Sequence, residues 1–145
     1  MTGAMELLEE YGKTRISFTD DAGIDWVVRA TKSPDYWMLQ PPHFEAVTGE
    51  AWVITAWNPR SEVASEAANA AANAALVADI SAKAYRLTPA VGSSPDSAWS
   101  EDSFLVHDPD PAWVKDAARR FGQNAVFRWT PSVWEIVWTG EVEQP

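Results

Sequence analysis

The chain has 145 residues and a formal net charge of −10, and its composition includes 46% hydrophobic residues, 9 tryptophans and no cysteine. This length and apolar content exclude a disordered polypeptide and suffice for one domain with a buried core. The acidity argues against a nucleic-acid surface, which needs a basic footprint. The missing cysteines exclude disulfides, thiolate metal sites and a cysteine nucleophile.

Membrane insertion and secretion find no support in the sequence. No run of about 18 apolar residues is present, so we expect no membrane span. Residues 1–12 (MTGAMELLEEYG) are acidic and lack the basic and apolar regions of a secretory signal, so we expect a cytoplasmic location. The acidic charge is spread evenly, since residues 1–50 and 51–145 each contribute −5, and this suits solubility better than a concentrated acidic stripe.

The N-terminal third predicts a β-hairpin followed by an irregular connection. Residues 6–11 predict one short helical turn. Residues 15–18 and 24–28 predict two strands, because the Asp and Gly residues at 20–23 favour a hairpin turn. Residues 34–42 begin and end with proline and predict irregular structure.

A strand, a polar turn and a long alanine-rich helix follow the connection. The strand at 51–57 is expected to end at Asn58 and Pro59, because proline cannot continue it. Ser61 and Ser65 are both candidate N-caps of the helix. Its many alanines favour helix and allow a close approach to a sheet.

The rest of the chain predicts four strands and a second helix. Asp110 is the expected N-cap of that helix, Pro111 its first residue and Gly122 its stop. The strands are expected at 85–91, 101–107, 124–129 and 133–138, with a polar loop at 92–99 and a frayed tail at 141–145.

From residue 51 onward the predicted order is strand, helix, strand, strand, helix, strand. This order is typical of the ferredoxin-like split βαβ arrangement. We therefore predict an α+β fold in a single domain, 1–145. Its core at 51–129 has the ferredoxin-like order, residues 1–50 add an N-terminal β-hairpin and connection, and residues 130–145 add a C-terminal strand and tail.

The first helix carries amides on the face that should be buried. At about 100° per residue, the apolar stripe of Leu76 and Ile80 continues toward the N-terminus through Asn73 and Asn69. A buried amide without partners costs roughly 1–3 kcal/mol, so both side chains need protein groups, water or a ligand. Because most buried polar side chains are satisfied internally, a structural role is favoured over a binding role.

Right-handed crossovers bring the ends of several elements together at one end of the sheet. The residues expected there come from five segments: Asn58, Glu66, Asn69, Asn73, Trp99, Glu101, Ser103, Gln123 and Asn124. We predict a polar site at this end. Glu101 is its candidate catalytic residue, and the others apart from Glu66 are its candidate ligand contacts.

Four stretches resemble the bacterial DUF3293 family of unknown function. They are ITAWNPRS at 54–61, the helix with Asn69, Asn73 and Leu76, WSEDSFLV at 99–106, and FGQNAVF at 121–127. The resemblance extends from about residue 11 to 127. It implies a small, single-domain cytoplasmic protein of bacteria or phage whose motif residues fall on the predicted site, and it implies no activity.

The site chemistry favours a planar ligand with donors and acceptors, such as a nucleobase or nucleotide. Trp57 or Trp99 is available to stack on it, and the lack of nearby basic residues disfavours tight phosphate binding. Glu101 is suited to acid/base work if burial raises its pKa, although a carboxylate accepting hydrogen bonds from loop amides is the favoured interpretation.

No cofactor or metal is predicted. The chain lacks the glycine-rich motifs GxGxxG and GxxxxGK[ST]. Its two histidines are His43 and His107, and His107 with Asp108 and Asp110 lacks a recognised metal-ligand spacing. A helix-capping Asp110 explains this cluster better.

Three functional hypotheses remain open. The first is a small-molecule binding domain for a nucleotide-like metabolite. The second is an acidic inhibitor or antitoxin-like module that binds a basic protein through exposed tryptophans. The third is a hydrolase or transferase with Glu101 as general base. No binding to nucleic acid or membrane is expected.

Overall fold

The computed structural model describes residues 14–19, 23, 25–32, 37–39, 50–59, 62–94, 96, 98–130 and 134–139. Within them, eight strands form an antiparallel sheet and two helices pack against it, so the fold is α+β. Neither of these two helices combines the length and apolar character that a membrane span needs. The predicted turn at 6–11, His43 and the tail at 141–145 lie outside the described residues.

The strands are β1 (Arg15–Thr19), β2 (Asp25–Lys32), β3 (Trp37–Leu39), β4 (Ala51–Ile54), β5 (Leu87–Ser93), β6 (Ser100–His107), β7 (Ala125–Trp129) and β8 (Trp134–Trp138). The helices are α1 (Glu66–Ala82), between β4 and β5, and α2 (Pro111–Arg120), between β6 and β7. The strand order across the sheet is β3-β2-β1-β5-β6-β4-β7-β8.

The predicted hairpin is confirmed, and several element boundaries differ from the prediction, among them those of β5, which was expected at 85–91 and spans Leu87–Ser93. β1 pairs with β2 so that Phe18 lies opposite Trp26. The prediction for residues 34–42 was wrong at its centre, because the three residues of β3 pair with the far end of β2. β4 ends at Ile54, three residues before Trp57, because a side chain of α1 rather than a neighbouring strand binds the N–H of Ala56.

Helix α1 begins and faces the sheet as its sequence predicts. Of the two candidate N-caps, Ser65 is the one used, and its hydroxyl accepts a hydrogen bond from the N–H of Ala68 at 3.1 Å. The four buried residues of the helix are Asn69, Asn73, Leu76 and Ile80. The inner stripe is therefore apolar in its second half and made of amides in its first half.

Helix α2 has the caps that the sequence predicts. The Asp110 carboxylate accepts from the N–H of Ala112 at 2.9 Å, and Pro111 opens the helix. After the helix, Gly122 has a φ of 68°, a conformation that glycine adopts without steric cost.

Both faces of the sheet are covered, and the sheet curls. The helix-bearing outer face buries Trp52, Ile54, Ala56, Leu76, Ile80, Val106, Val114, Ala117, Ala118 and Val126. The inner face buries Ile16, Phe18, Ala51, Val53, Ala90, Leu105, Phe127 and Trp129. The two end strands, β3 and β8, approach each other. The inner face is thus the interior of a strongly curved sheet, and its buried side chains form the inner core.

A charged network ties β4, β7 and β8 together on the outer face. The Arg128 guanidinium donates to both carboxylate oxygens of Glu50, at 2.9 and 3.2 Å, and to Glu135 at 2.7 Å. The hydrogen bond from Arg128 lowers the pKa of Glu50, and the indole N–H of Trp52 donates to the same carboxylate at 2.7 Å. This network lies where β4 begins.

Truncation of Leu105 tests the contribution of the inner core. Leu105 is fully buried among the inner-face side chains, so Leu105→Ala should lower the free energy of unfolding by about 2–5 kcal/mol, measured by chemical denaturation. Val27→Ala is the control, because its side chain is 64% exposed and should change stability by less than about 0.5 kcal/mol. Equal effects of the two substitutions would contradict an enclosed inner core.

Candidate functional site

A cavity of about 260 Å³ opens into the curved sheet at the end where β4 stops. Inner-face residues of β1, β4, β5, β6 and β7 form most of its walls, Ile54 at the end of β4 also borders it, and its rim comes from the connections between strands and helices. The lining residues are Thr14, Ile16, Val53, Ile54, Thr55, Trp57, Asn58, Val63, Gly92, Trp99, Ser100, Glu101, Ser103, Gln123, Ala125 and Phe127.

The cavity collects five of the eight residues that the sequence assigned to a site: Asn58, Trp99, Glu101, Ser103 and Gln123. Asn69, Asn73 and Asn124 are buried but do not line it. Asn73 instead borders a second cavity, of about 900 Å³, on the outer side of the sheet. Glu66 is exposed in the first turn of α1.

Asn73 fastens the end of β4 to β6. Its Oδ1 accepts from the backbone N–H of Ala56 at 2.8 Å, and its Nδ2 donates to the backbone carbonyl of Asp102 at 2.9 Å. The hydroxyl of Thr55 donates to the same carbonyl at 2.6 Å. The Asn73 amide therefore forms hydrogen bonds with backbone groups that have no strand partner once β4 ends.

Asn58 and Asn69 form a reciprocal pair. The N–H of Asn58 donates to Oδ1 of Asn69 at 2.8 Å, and Nδ2 of Asn69 donates to Oδ1 of Asn58 at 2.9 Å. Asn58 has a φ of 44°, a left-handed conformation that asparagine tolerates better than most residues. Its Oδ1 also accepts from the N–H of Ala64 at 3.0 Å, which holds the segment before α1 against the rim.

Gln123 and Asn124 are held by the connection that leads into β7. Nε2 of Gln123 donates to the carbonyl of Trp57 at 3.1 Å and to that of Phe121 at 3.3 Å. The backbone carbonyl of Asn124 accepts from the N–H of Thr139 at 3.1 Å. Gln123 thus positions the backbone of Trp57 at the cavity rim. The bond between Asn124 and Thr139 joins the connection before β7 to the residue that follows β8.

Trp99 stands at the mouth of the cavity and is 37% exposed. A short loop holds it: the N–H of Trp99 donates to the Ser94 hydroxyl at 3.2 Å, and that hydroxyl donates to Asp96 at 2.7 Å. The hydrogen bond from Ser94 lowers the pKa of Asp96. Val63, which is 92% exposed, also borders the mouth, so the entrance is apolar.

Glu101 supplies the single ionisable side chain among the described lining residues. It lies opposite Gly92 in the β5–β6 pairing. Burial raises the pKa of its carboxyl to about 7, and within the described part of the chain no side chain or backbone group forms a hydrogen bond or ion pair with that carboxyl. The carboxyl is consequently poised between its acid and its carboxylate at neutral pH.

The neighbours of Glu101 are small and polar. The hydroxyl of Ser103 is buried and donates to the backbone carbonyl of Glu101 at 3.3 Å. A methyl group placed on Gly92 would lie 3.6 Å from Ile16, 3.7 Å from the Ser103 hydroxyl and 3.8 Å from Thr14. The glycine thus leaves room for one methyl group in the floor of the cavity.

The remaining polar candidates have structural explanations. His107 is hydrogen-bonded to the Thr88 hydroxyl at 2.9 Å, and Asp108 accepts from the N–H of Glu50 at 2.9 Å. In the described ranges no group of three or more His, Asp or Glu side chains could hold a metal ion.

The described tryptophans differ in exposure, and Trp26, Trp57 and Trp113 are half-buried. Of the tryptophans whose side chains are described, Trp99 is the exposed one, and Trp52, Trp129 and Trp138 are buried.

Sequence reasoning missed the contributions of Thr14, Gly92 and Ala125. Thr14 reaches the cavity because β1 pairs with β5, a neighbour relation that the hairpin alone does not specify. Gly92 was assigned to a loop, whereas β5 continues to Ser93. Every second residue of a strand lies on the same face of the sheet, and these three residues share the inner face with the buried residues of their strands. This period of two was the signal available in the sequence.

The conserved-family model described as "Protein of unknown function (DUF3293)" matches residues 54–126. The chain belongs to the DUF3293 family. All of the cavity lining except Thr14, Ile16, Val53 and Phe127 falls inside the matched DUF3293 segment, whereas the hairpin of β1 and β2 lies outside it. Neither the curated proteins nor the solved structures that were compared gave a match.

Removal of the Asn73 amide should destabilise the protein. Asn73→Ala leaves the Ala56 N–H and one bond to the Asp102 carbonyl unmade in a buried place, so we expect a loss of about 2–4 kcal/mol in unfolding free energy. Ser81→Ala is the control at an exposed position of the same helix and should be neutral or slightly stabilising. An Asn73→Ala protein as stable as Ser81→Ala would exclude the anchoring role.

Replacement of Glu101 should stabilise the protein at high pH. A carboxyl whose pKa is raised from 4.5 to about 7 binds more protons in the folded state, so its contribution to stability falls as the pH rises through this window and stays low above it. Glu101→Gln should therefore gain up to about 3 kcal/mol over wild type near pH 8 and almost nothing near pH 4. Thermal or urea unfolding at both pH values measures this difference.

Asp102→Asn is the matched control for Glu101→Gln. Asp102 is the next residue along β6 and is exposed, so its neutralisation should give no such pH-dependent gain. A Glu101→Gln protein with the same stability difference at both pH values would mean that the Glu101 carboxyl is solvated like a surface group.

Proposed function

We propose that the cavity binds a small planar organic molecule, a nucleobase or the base of a nucleotide-like metabolite. The observation that carries the proposal is the Glu101 carboxyl, which has no hydrogen-bond partner among the described residues and is the single ionisable group of the described lining, in a cavity that Ser103, Trp57 and Trp99 also line. A polar group in such a place is costly without a hydrogen-bond partner, and a ligand with donors supplies one.

The size and walls of the cavity suit one ring system. A volume of about 260 Å³ lies just below the range of about 300–1,000 Å³ typical of drug-sized ligands. Trp57 and Trp99 supply aromatic residues at the rim, and Ile16, Val53 and Phe127 provide apolar walls. No arginine or lysine belongs to the described lining, so a phosphate group is expected to remain outside in solvent.

We also propose that residues 51–129 have the ferredoxin-like split βαβ arrangement. The supporting observation is the local strand order β5-β6-β4-β7, in which β6 lies between the two strands that α1 connects. In that arrangement the C-terminal end of β4 and the N-terminal ends of β6 and β7 lie at the same end of the sheet, which is where the cavity opens.

A second candidate function is acid/base catalysis by Glu101 in a hydrolase or transferase. The observation in its favour is the pKa of about 7, since a general acid or base is most effective with a pKa near the working pH. If an activity is found, its rate should change through about pH 7 in wild type and be lost in Glu101→Gln. An activity that Glu101→Gln leaves intact would end this assignment.

Ligand-induced stabilisation tests the binding proposal. Thermal unfolding with nucleobases, nucleosides and other planar heterocycles should reveal compounds that raise the melting temperature, since a ligand at about 100 times its Kd adds roughly 2.7 kcal/mol. The wild-type signal should weaken strongly in Trp99→Ala, because stacking on one aromatic residue is worth about 1–3 kcal/mol per base.

Gly92→Ala is the companion variant for the same screen. Its added methyl meets only ordinary van der Waals distances, so the fold should be retained while the cavity floor rises. We expect binding to weaken by about fivefold or more, because the ligand ring can no longer enter the cavity as deeply. A screen in which no compound stabilises wild type, or in which both variants bind as tightly as wild type, would refute the proposal.

A further inference from the structure

We infer that the ligand of this cavity is an organic cation, a planar amidinium, guanidinium or N-alkylated heteroaromatic group that pairs with Glu101 and stacks on the rim tryptophans. The inference rests on the proposed binding function and names its ligand class.

The charge pattern of the cavity selects for a positive ligand. Glu101 is the single ionisable group of the described lining, and none of the described lining residues from β1, β4, β5, β7 or the rim connections is an arginine, lysine or histidine. The nearest acidic residues in sequence, Asp96 and Asp102, are exposed and do not line the cavity. An anion entering this cavity meets one carboxyl and no counter-charge from the described lining residues, whereas a cation neutralises the carboxyl.

The hydrogen-bonding state of Glu101 points in the same direction. Three other carboxylates accept hydrogen bonds from protein groups. Asp96 accepts from Ser94 and Ala98, and Asp110 accepts from Ala112. Glu50 accepts from Arg128. Glu101 has no such donor among the described residues, although the Ser103 hydroxyl lies on the same face two residues away. Both carboxyl oxygens are thus available to a fork of two N–H donors, the geometry that amidinium and guanidinium groups present.

The rim adds an attraction that is specific for cations. Trp57 and Trp99 both border the cavity, and an indole face attracts a cation through its quadrupole, more so where water is displaced. Val63 extends the apolar mouth beside them. The Glu101 carboxyl and the tryptophans of the rim together favour a planar cation over a neutral ring of the same shape.

Proton linkage makes the inference measurable. A cation binds the carboxylate form of Glu101, and the pKa of about 7 means that much of the protein carries the acid form below neutrality. Affinity for a cation should therefore rise about tenfold between about pH 6 and about pH 8, in proportion to the ionised fraction. A neutral ligand that accepts a hydrogen bond from the acid form should show the opposite trend.

The test compares benzamidine with benzamide, two rings of similar shape of which the first stays positively charged over this pH range. Calorimetric titration of wild type near pH 8 should give benzamidine an affinity at least about tenfold above that of benzamide. Near pH 6 the benzamidine affinity should fall about tenfold, and its binding should release about one proton, read from the heats in two buffers of different ionisation enthalpy.

Two variants complete the experiment. Glu101→Gln and Asp102→Asn each remove one carboxylate, and the two residues are neighbours in β6. Glu101→Gln should abolish both the preference for benzamidine and its pH dependence, while Asp102→Asn should keep both. The wild-type pH series needs no variant and is independent of any effect on folding.

The outcomes separate this inference from the proposed function. Equal or tighter binding of benzamide, a pH-independent affinity for benzamidine, or a preference that survives Glu101→Gln would overturn the cation assignment. If neutral planar compounds stabilise the protein and benzamidine does not, the proposed function stands and the inference falls. If neither benzamidine, benzamide nor any compound of the planar panel binds, both fall together.

Discussion

The structure depends on side-chain amides that complete a backbone where a strand ends. Once β4 stops at Ile54, the N–H groups of Ala56 and Asn58 have no partner strand, and Asn73 and Asn69 on α1 accept from them. A second bond from Asn73 reaches β6 at Asp102, the residue after Glu101. Because an unpaired buried amide is expensive, these bonds fix the height and direction of the connection that carries Trp57 and Asn58 to the cavity rim.

This arrangement explains why the asparagines are conspicuous in the sequence without lining the cavity. The helical period correctly places Asn69 and Asn73 on the buried face of α1, but burial alone does not say whether a protein group or a ligand satisfies an amide. The structure supplies protein partners for both. Their contribution to any site is therefore indirect: they hold the rim in place, and the rim contacts what enters.

Local signals in the sequence were sufficient for most elements and insufficient for the curvature. The caps at Ser65 and Asp110, the stop at Gly122 and the hairpin of β1 and β2 follow from short-range chemistry that single residues carry. The pairing of β1 with β5 is a long-range choice, and with it comes the curl that turns the inner face into an enclosed interior. The order of strands and helices was enough to predict Glu101 and Trp99 at one end of the sheet. Thr14 and Gly92 were not predicted there, because their place in the cavity depends on the pairing of β1 with β5.

Local rules and the global fold disagree at Glu101. A neutral side chain at this inward position of β6 would avoid the desolvation that raises its pKa, and Leu105, four residues further along the same face, shows that apolar residues fit there. The fold retains a carboxyl at a cost of up to about 3 kcal/mol near pH 8. Natural proteins tolerate such costs mainly at functional sites, and this is the physical ground for proposing a binding role for the cavity.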